Sequence, residues 1–547
     1  MAVGTYFRNF FIIIEDKRIM AEQTILEQIE KLIDIGIALS GERDTEILLE
    51  KILLCAKSIT RADGGTLYRI EGNFISTTII HSDSLKIHLG GSSGSPVNLA
   101  KVPLFLADGN VNLSHVVCYS YHNKTVVNIA DVYDPVDDFD FSGPKEFDRQ
   151  HRYRTKSLLT IPLKNHKGDV IGVLQLINAL SPESGEVIGF NDVSQKMTTA
   201  MASQAAIVLT QQQLIVDLER LFQSLVQLVA TAIDQKSPYT GAHSRRVPVL
   251  TMMLAEAVHE IDHGYYQDFS LSDADRYELE VAAWLHDCGK ITTPEFVMDK
   301  STKLQTIFDR IALIETRFEV LKRDREIDLL KLRIQALEEG RPWSGQLNLE
   351  FEQTIGQIEN DLAFIRHINF GGEFMTEADQ ARIKAMSGVL WRLGDQDLPL
   401  LSDDEVYNLC ISRGTLTKEE REIINNHIVA TIAMLESIDF PKHLKNVPEY
   451  AGGHHERMDG KGYPKGLKRE QMSVQARIMG IADVFEALMD TDRPYKKGKK
   501  LSEALTILKS MKENGHIDPD LYDVFMEKKI YKKYAEQYVA PEQIDRE

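Results

Sequence analysis

Residues 451–467 read AGGHHERMDGKGYPKGL, with His454 and His455 side by side, Glu456 next to them, and a glycine-rich turn through Asp459, Gly460 and Gly462 that ends in Tyr463 and Pro464. Two adjacent imidazoles beside an acid suit neither an apolar core nor a bland surface loop; they point to a coordinated ligand. If that ligand is a metal, one stretch cannot complete its shell. The fold must then bring further histidines and aspartates from distant parts of the chain to this turn.

The chain offers them. His243 stands in AIDQKSPYTGAHSRRV, His286 and Asp287 in AAWLHDCGK, His427 in REIINNHIVAT and Asp483 in RIMGIADVFEAL. Most of these flanks are apolar and helix-forming, which predicts imidazoles and carboxylates on helix faces turned inward. Neighbours on a helix point about 100° apart, so His286 can ligate one ion while Asp287 bridges to a second. Nitrogen and oxygen donors without thiolate suit iron, manganese or another borderline divalent ion and disfavour structural zinc. Any one of these histidines alone reads as a satisfied core or surface residue. HDxxK and HHExxDGxGYP together in one chain do not.

With 547 residues the chain is too long for one core and should divide into two to four domains. A net charge of −19 argues against a nucleic-acid polymer as partner, since polyanions are held by a surplus of lysine and arginine; a small anionic substrate needs only a local cluster. Cys55, Cys118, Cys288 and Cys410 are scattered without CxxC spacing, as expected in a reducing compartment. The apolar run from Phe10 to Ile14 is far shorter than the roughly 20 residues of a membrane span, and Glu15, Asp16, Lys17 and Arg18 follow it with no cleavage site. A cytoplasmic protein with no membrane partner is expected, and Met20 is a possible alternative start.

Residues 21–62 show helical spacing, and branched-residue runs follow: GGTLYRI, FISTTII and KSLLTIPLKNHKGDVIGVLQLIN. The last predicts a hairpin about the turn Asn165-His166-Lys167-Gly168-Asp169, and residues 192–210 return to helix. Leu214, Leu218, Leu221, Leu225, Leu228 and Ala232 then alternate four-and-three steps. That is the seam of a parallel coiled coil, although a helix lying on its own domain would show the same spacing. Between Lys303 and Arg413, Ile307, Ile311, Ile314, Phe318 and Leu321 form one such seam, and Phe351, Ile355, Ile358, Leu362 and Ile365 a second. The breaker at 340–345 between them predicts an antiparallel helical hairpin. Dimer contacts, a lid or partner binding would each suit this arm.

Residues 30–212 resemble a GAF domain, most clearly in YRTKSLLTIPLKNHKGDVIGVLQLINA with Phe190, Asn191 and Asp192 after it. The resemblance implies an antiparallel sheet with flanking helices and a small-molecule pocket on one face; a scaffold without ligand fits equally, and the ligand is unknown. Residues 222–540 resemble the HD-GYP class of HD-superfamily phosphohydrolases, on YTGAHSRRV, HDCGK, HHERMDGKGYP, IADVFEAL, DRPYKK and GHIDPDLYDVF. This implies an all-α domain with two or three iron or manganese ions that hydrolyses cyclic di-GMP to pGpG and in some members to GMP, with cyclic GMP-AMP accepted by relatives. On matching positions, His243, His286, Asp287 and Asp483 would surround one metal. Asp287 would bridge to a second ion held with His427 and His454, with His455 in the same cluster. Lys290 would contact the scissile phosphate, Arg493 and Lys496 would hold phosphate or guanine, and Gly462, Tyr463 and Pro464 would shape the flanking loop. Asp287 and Lys290 are thus the expected catalytic pair, beside a metal-bridging hydroxide as nucleophile.

Two positions depart from that pattern. Trinuclear members carry a carboxylate four residues before the first histidine, where this chain has Tyr239, so two divalent ions are expected. Ile428 follows His427 where proline is common. The expected order is an N-terminal extension (1–29), a GAF sensor (30–212), a coiled-coil linker helix (213–235), and an HD-GYP domain (236–303 and 413–547) carrying a helical-hairpin insertion (304–412). The expected protein is a homodimeric cyclic-dinucleotide phosphodiesterase regulated by its GAF domain. The alternative is a non-catalytic receptor that signals through protein partners.

Overall fold

The computed structural model describes residues 33, 36–38, 41–42, 44–134, 139–236, 243–372, 374–491 and 498–545, and the chain divides into two compact units, Met1–Leu221 and Phe222–Glu547. The expectations at 1–29, Tyr239, Arg493 and Lys496 lie outside the described residues.

The first unit is built on an antiparallel sheet. Its strands are β1 (Ala62–Glu71), β2 (Phe74–Ser82), β3 (Ile87–Leu89), β4 (Val102–Pro103), β5 (Val127–Ile129), β6 (Leu158–Lys164), β7 (Val170–Leu180) and β8 (Val187–Ile188). They run in the order β3-β2-β1-β7-β6-β5, with β4 on β2 and β8 on β7. β6 and β7 form the expected hairpin: the Asn165 side-chain oxygen accepts from the Lys167 and Asp169 amides, both at 2.9 Å, and Gly168 takes φ 77° to close the turn. All of β6 except Lys164 is buried, because both faces are covered. On one face, Leu48, Ile52 and Leu53 of helix α1 (Thr45–Thr60) and Met201, Ala202 and Ala205 of α4 (Asp192–Lys236) pack on Leu67, Ile161 and Leu174. Gly65 permits this approach, since a Cβ there would stand 2.7 Å from Leu53 Cδ1. On the other face, Val117 and Cys118 of α2 (Val116–Asn123) pack on Ile75, Leu104 and Val173. Helix α3 (Ser142–His151) lies between β5 and β6 in the chain.

Helix α4 is one 45-residue element that contains both the closing helix of the sheet domain and the linker. Leu214, Leu218, Leu221, Leu225 and Leu228 are each at least half exposed along it.

The second unit is helical apart from one short hairpin. Its core collects Leu250, Leu254 and Val258 of α5 (His243–His259), Leu279 and Ala282 of α6 (Asp273–Leu285), and Ile478, Ile481 and Phe485 of a helix at Val474–Met489. Leu505, Leu521, Phe525 and Tyr534 from the C-terminal helices complete it. A separate core belongs to the insertion: Ile314, Phe318 and Leu321 of α7 (Ile311–Glu338) meet Ile358, Leu362 and Ile365 of α8 (Gly345–Asn369), with Ile383 and Met386 of α9 (Glu377–Ser387) and Leu409 of α10 (Asp403–Leu409). The two long helices match the expected hairpin, broken at 339–344. Two details differ. Ile307 precedes the helix and is 93% exposed, so it is no part of the seam. The insertion also carries a two-stranded hairpin, β9 (Leu390–Leu393) and β10 (Gln396–Pro399), turned at Gly394 with φ 63°. After it come α11 (Lys418–Asn425), α12 (His427–Glu436), α13 (Val447–Gly452) and α14 (Val474–Met489). The longer C-terminal helices are α15 (Leu501–Glu513), α16 (Pro519–Glu527) and α17 (Ile530–Tyr538).

Candidate metal centre

The histidines stand at helix ends, not on the helix faces that periodicity suggested. His243 is the first residue of α5, His286 follows the last residue of α6, His427 opens α12, and His454 and His455 come just after α13; Asp483 alone sits inside a helix, α14. The local chemistry gives the reason. The Nδ1 of His286 lies 2.7 Å from the Ala283 carbonyl, that of His427 2.6 Å from the Ile424 carbonyl, and that of His454 2.6 Å from the Ala451 carbonyl. In each case the ring donates to the carbonyl three residues back, one of those a helix end leaves open. His243 Nδ1 bonds instead to the Glu486 carboxylate, one turn after Asp483 on α14. With Nδ1 committed in these four rings, Nε2 is the atom that each turns toward the centre.

These Nε2 atoms converge on two carboxylates. His243 Nε2 lies 3.2 Å from Asp483 Oδ1 and 3.5 Å from Asp287 Oδ2; His286 Nε2 is 3.2 Å from Asp287 Oδ2, and His427 Nε2 is 3.2 Å from Asp287 Oδ1. His455 Nε2 stands 3.3 Å from His427 Nε2. Among the described residues, ligand atoms fall into three overlapping groups, each within 4.8 Å: His243, His286 and Asp483; His286, Asp287 and His454; His427, His454 and His455. Asp287 therefore lies between two sets of imidazoles. Its position also differs from expectation, since the backbone leaves the helix at Asp287 (φ −105°, ψ 11°) and the doublet is not a pair of helical neighbours.

The residues fit divalent cations on an independent test. Among the described residues, His286 Nε2, His454 Nε2 and Asp287 Oδ1 are buried with no hydrogen-bond partner, an arrangement costly for polar atoms unless an ion satisfies them. Protonation states agree. Burial, then the neighbouring His455 and His286, hold the His454 pKa well below the ordinary histidine value, and burial brings His455 down to about 4. Both rings are neutral near pH 7, the form that binds metal. Burial works against ionisation of Asp287 and Asp483, but Lys290 and His286 at the first and His243 at the second hold both well below the usual carboxylate range. His243 is raised well above the ordinary value: burial opposes this, and bonds to Asp287, Asp483 and Glu486 outweigh it.

The surrounding glycines are dictated by contact. A Cβ on Gly289, in HDCGK, would lie 2.0 Å from the His427 carbonyl oxygen and 2.5 Å from the Thr431 amide nitrogen, while the Gly289 amide donates to Thr431 Oγ1 at 2.9 Å. One on Gly462 would lie 2.4 Å from the Arg457 nitrogen, and Gly460 takes φ 77°. The turn therefore folds back on HHE. The Tyr463 ring stacks on His455, centroids 4.9 Å apart, and the Tyr463–Pro464 bond is cis. Glu456, which the sequence placed beside the paired histidines, faces away from them and accepts from the Lys465 and Leu467 amides at 2.7 and 2.8 Å, fixing the turn. Lys290 Nζ is 2.6 Å from Asp287 Oδ2 and partly exposed.

Two acids escaped the sequence reading. Glu486 lies inside the quoted IADVFEAL but looks like an ordinary helical acid until its bond to His243 is seen. Asp234 lies in the stretch that leads to His243; it is buried, neither oxygen has a hydrogen-bond partner among the described residues, and burial raises its pKa.

Residues 44–209 match the family model described as GAF domain, and residues 373–521 match the one described as HD domain. The HD match covers His427, His454, His455 and Asp483; His243, His286 and Asp287 precede it. Among characterised proteins, the chain is 35% identical over 145 residues to a cyclic di-GMP phosphodiesterase of Pseudomonas aeruginosa, 26% of this chain and 32% of that one. It is 23% identical over 333 residues to a 3'3'-cGAMP-specific phosphodiesterase of Vibrio cholerae, 60% of this chain and 42% of that one. To a cyclic di-GMP phosphodiesterase of Thermotoga maritima it is 34% identical over 130 residues, 24% of this chain and 34% of that one. The matches thus span about a third to two fifths of the length of these relatives. Among the described residues no helix is long and apolar enough to cross a membrane.

Proposed function

We propose that this chain, which carries a GAF domain and an HD domain, is a cytoplasmic metal-dependent phosphodiesterase of the HD-GYP class that hydrolyses cyclic di-GMP, with cyclic GMP-AMP as a further substrate, to pGpG and onward to GMP. The observation that carries the reading is the convergence of the His243, His286 and His427 Nε2 atoms on Asp287 and Asp483, with each Nδ1 tied away from the centre. His243, His286, Asp287 and Asp483 would hold one divalent ion and Asp287, His427, His454 and His455 a second, iron or manganese by donor chemistry. Two such ions acidify water and neutralise charge on phosphoryl oxygens.

The remaining work falls to the chain's own groups. Lys290, bonded to Asp287 and partly exposed, turns from it to take the scissile phosphate. The stacked rings of His455 and Tyr463 wall the centre on the side of the Gly462–Pro464 turn and limit the water that reaches it. Arg493 and Lys496 supply charge for a phosphate or a guanine of the substrate, the local cations an acidic protein needs.

The catalytic domain comprises 236–303 and 413–547, with 304–412 inserted. The exposed leucine stripe of α4 supports a parallel dimer through 213–235, by which the GAF domain (30–212) regulates hydrolysis. Metal analysis after anaerobic loading with iron or manganese, followed by turnover of cyclic di-GMP, tests the reading. Two ions per chain and release of pGpG are expected, and Asp287→Ala loses both. Fewer than two ions with no turnover overturns it, and tight cyclic di-GMP binding with two ions but no pGpG makes the chain a receptor.

A further inference from the structure

We propose a second ligand site, for a nucleoside phosphate, in the cavity where the insertion meets the segment leading to His427. The cavity holds about 960 Å³, within the range of small-molecule sites. Lys384 of α9, Arg413 of the connecting loop, and Lys418 and Arg421 of α11 all line it, against a single carboxylate, Asp403. Among the described residues none of these four cations has a carboxylate within ion-pair distance, although the chain carries a net charge of −19. Four unpaired cations in one hollow of an acidic protein form a local anion well.

The opposite wall fits the other half of such a ligand. Asp403, Val406, Tyr407 and Cys410 follow one face of α10, so an aromatic ring, an apolar patch and an acceptor for base N–H groups stand in a row. Tyr407 is half exposed, which leaves it open for a base to stack on. The walls are rigid. Buried Lys300 joins α10 to α11 by bonds to Asn408 Oδ1 at 2.8 Å and to both Glu420 oxygens at 2.8–2.9 Å, and Thr415 Oγ1 donates to the Lys300 carbonyl at 2.9 Å. Lys303 Nζ holds the loop start through the Leu409 and Ile411 carbonyls. Arg421 is six residues before His427, on the helix that ends just ahead of it, so the hollow and the metal centre share one stretch of chain. The same chemistry would take the distal half of a bound cyclic dinucleotide or a separate nucleotide.

The test uses the full chain stripped of metal with a chelator, so that binding is read apart from catalysis, and calorimetric titration with GDP, ADP and inorganic pyrophosphate. Saturable GDP binding is expected, weakened tenfold or more in the Lys384→Ala/Arg413→Ala double variant, both exposed positions. Asp403→Ala should weaken GDP and leave pyrophosphate unchanged. In the metal-loaded chain, a raised KM for cyclic di-GMP in the double variant, with bis(p-nitrophenyl) phosphate turnover unchanged, assigns the site to the substrate's distal half; an unchanged KM with GDP altering the rate assigns it to a separate nucleotide. No saturable binding of GDP or pyrophosphate, or binding equal in wild type and double variant, overturns the proposal.

Discussion

Replacing Gly289 by alanine tests whether the HDCGK turn fixes the distance between the two halves of the metal centre. The added Cβ would fall 2.0 Å from the His427 carbonyl oxygen, 2.5 Å from the Thr431 amide nitrogen and 2.7 Å from Thr431 Oγ1. Ordinary contact needs about 3.4 Å, so α12 or the turn must retreat by roughly 1.4 Å. Two of the three obstructing atoms are main chain, and a rotamer change cannot relieve them. Overpacking of this kind costs about 1–3 kcal/mol, or roughly 2–4 °C in melting temperature for a unit of this size. The shift also carries His427 away from Asp287 Oδ1, now 3.2 Å from its Nε2. Displacement of a reacting group by about 1 Å costs on the order of 100-fold in rate. Calorimetric melting, metal analysis and turnover of cyclic di-GMP, compared with Ser510→Ala on an exposed helical face, measure all three. A Gly289→Ala chain that keeps its metal and wild-type turnover within threefold would refute the account of the turn.

Glu486→Gln keeps the shape beside His243 but removes the charge that orients it, and metal affinity should fall about 10–100-fold in a chelator competition; equal affinity would detach Glu486 from the centre. Lys303 is buried, and burial lowers its pKa to about 8 from 10.5. Between those values the unfolded chain holds a proton that the folded chain lacks, so stability should rise with pH from 8 to 10.5, by at most about 3 kcal/mol. Denaturant melts of wild type and Lys303→Met across that window check the sign, since the variant should lose the rise. Leu221→Asp with Leu225→Asp puts charge into the exposed stripe of α4 and should halve the mass seen by sedimentation; an unchanged mass would place any dimer contact elsewhere.

Much of this molecule is written locally in its chain. The Asn165–Asp169 turn announces its hairpin through an Asx residue and a glycine, and the side chains later found together at the centre all stand in short motifs. What periodicity could not reveal was that the imidazoles stand at helix ends. A ring that donates to the carbonyl three residues back has the same neighbours in sequence as one on a helix face; only the place where the helix stops distinguishes them. Glu486 was hidden for a similar reason, as an acid one turn after Asp483 reads as solvated surface until α5 is packed against it. The β9–β10 hairpin left a signal in Leu390–Leu393, Gly394-Asp395 and Gln396–Pro399, but a strongly helical neighbourhood masked four-residue strands. Ile307 continued an apolar count past the start of the helix, where the backbone no longer keeps that spacing.

The anchoring of the rings bears on how such a centre can change over generations. Of the five imidazoles at the centre, those of His286, His427 and His454 are oriented by main-chain carbonyls at Ala283, Ile424 and Ala451, and any residue at those positions offers the same acceptor. Their tautomers are thus insulated from side-chain drift. His243 and His455 lean instead on replaceable side chains, the Glu486 carboxylate and the Tyr463 ring. Selection for a different metal or a different redox tolerance would therefore find two adjustable handles, one on α14 and one in the Gly462–Pro464 turn, and three fixed rings.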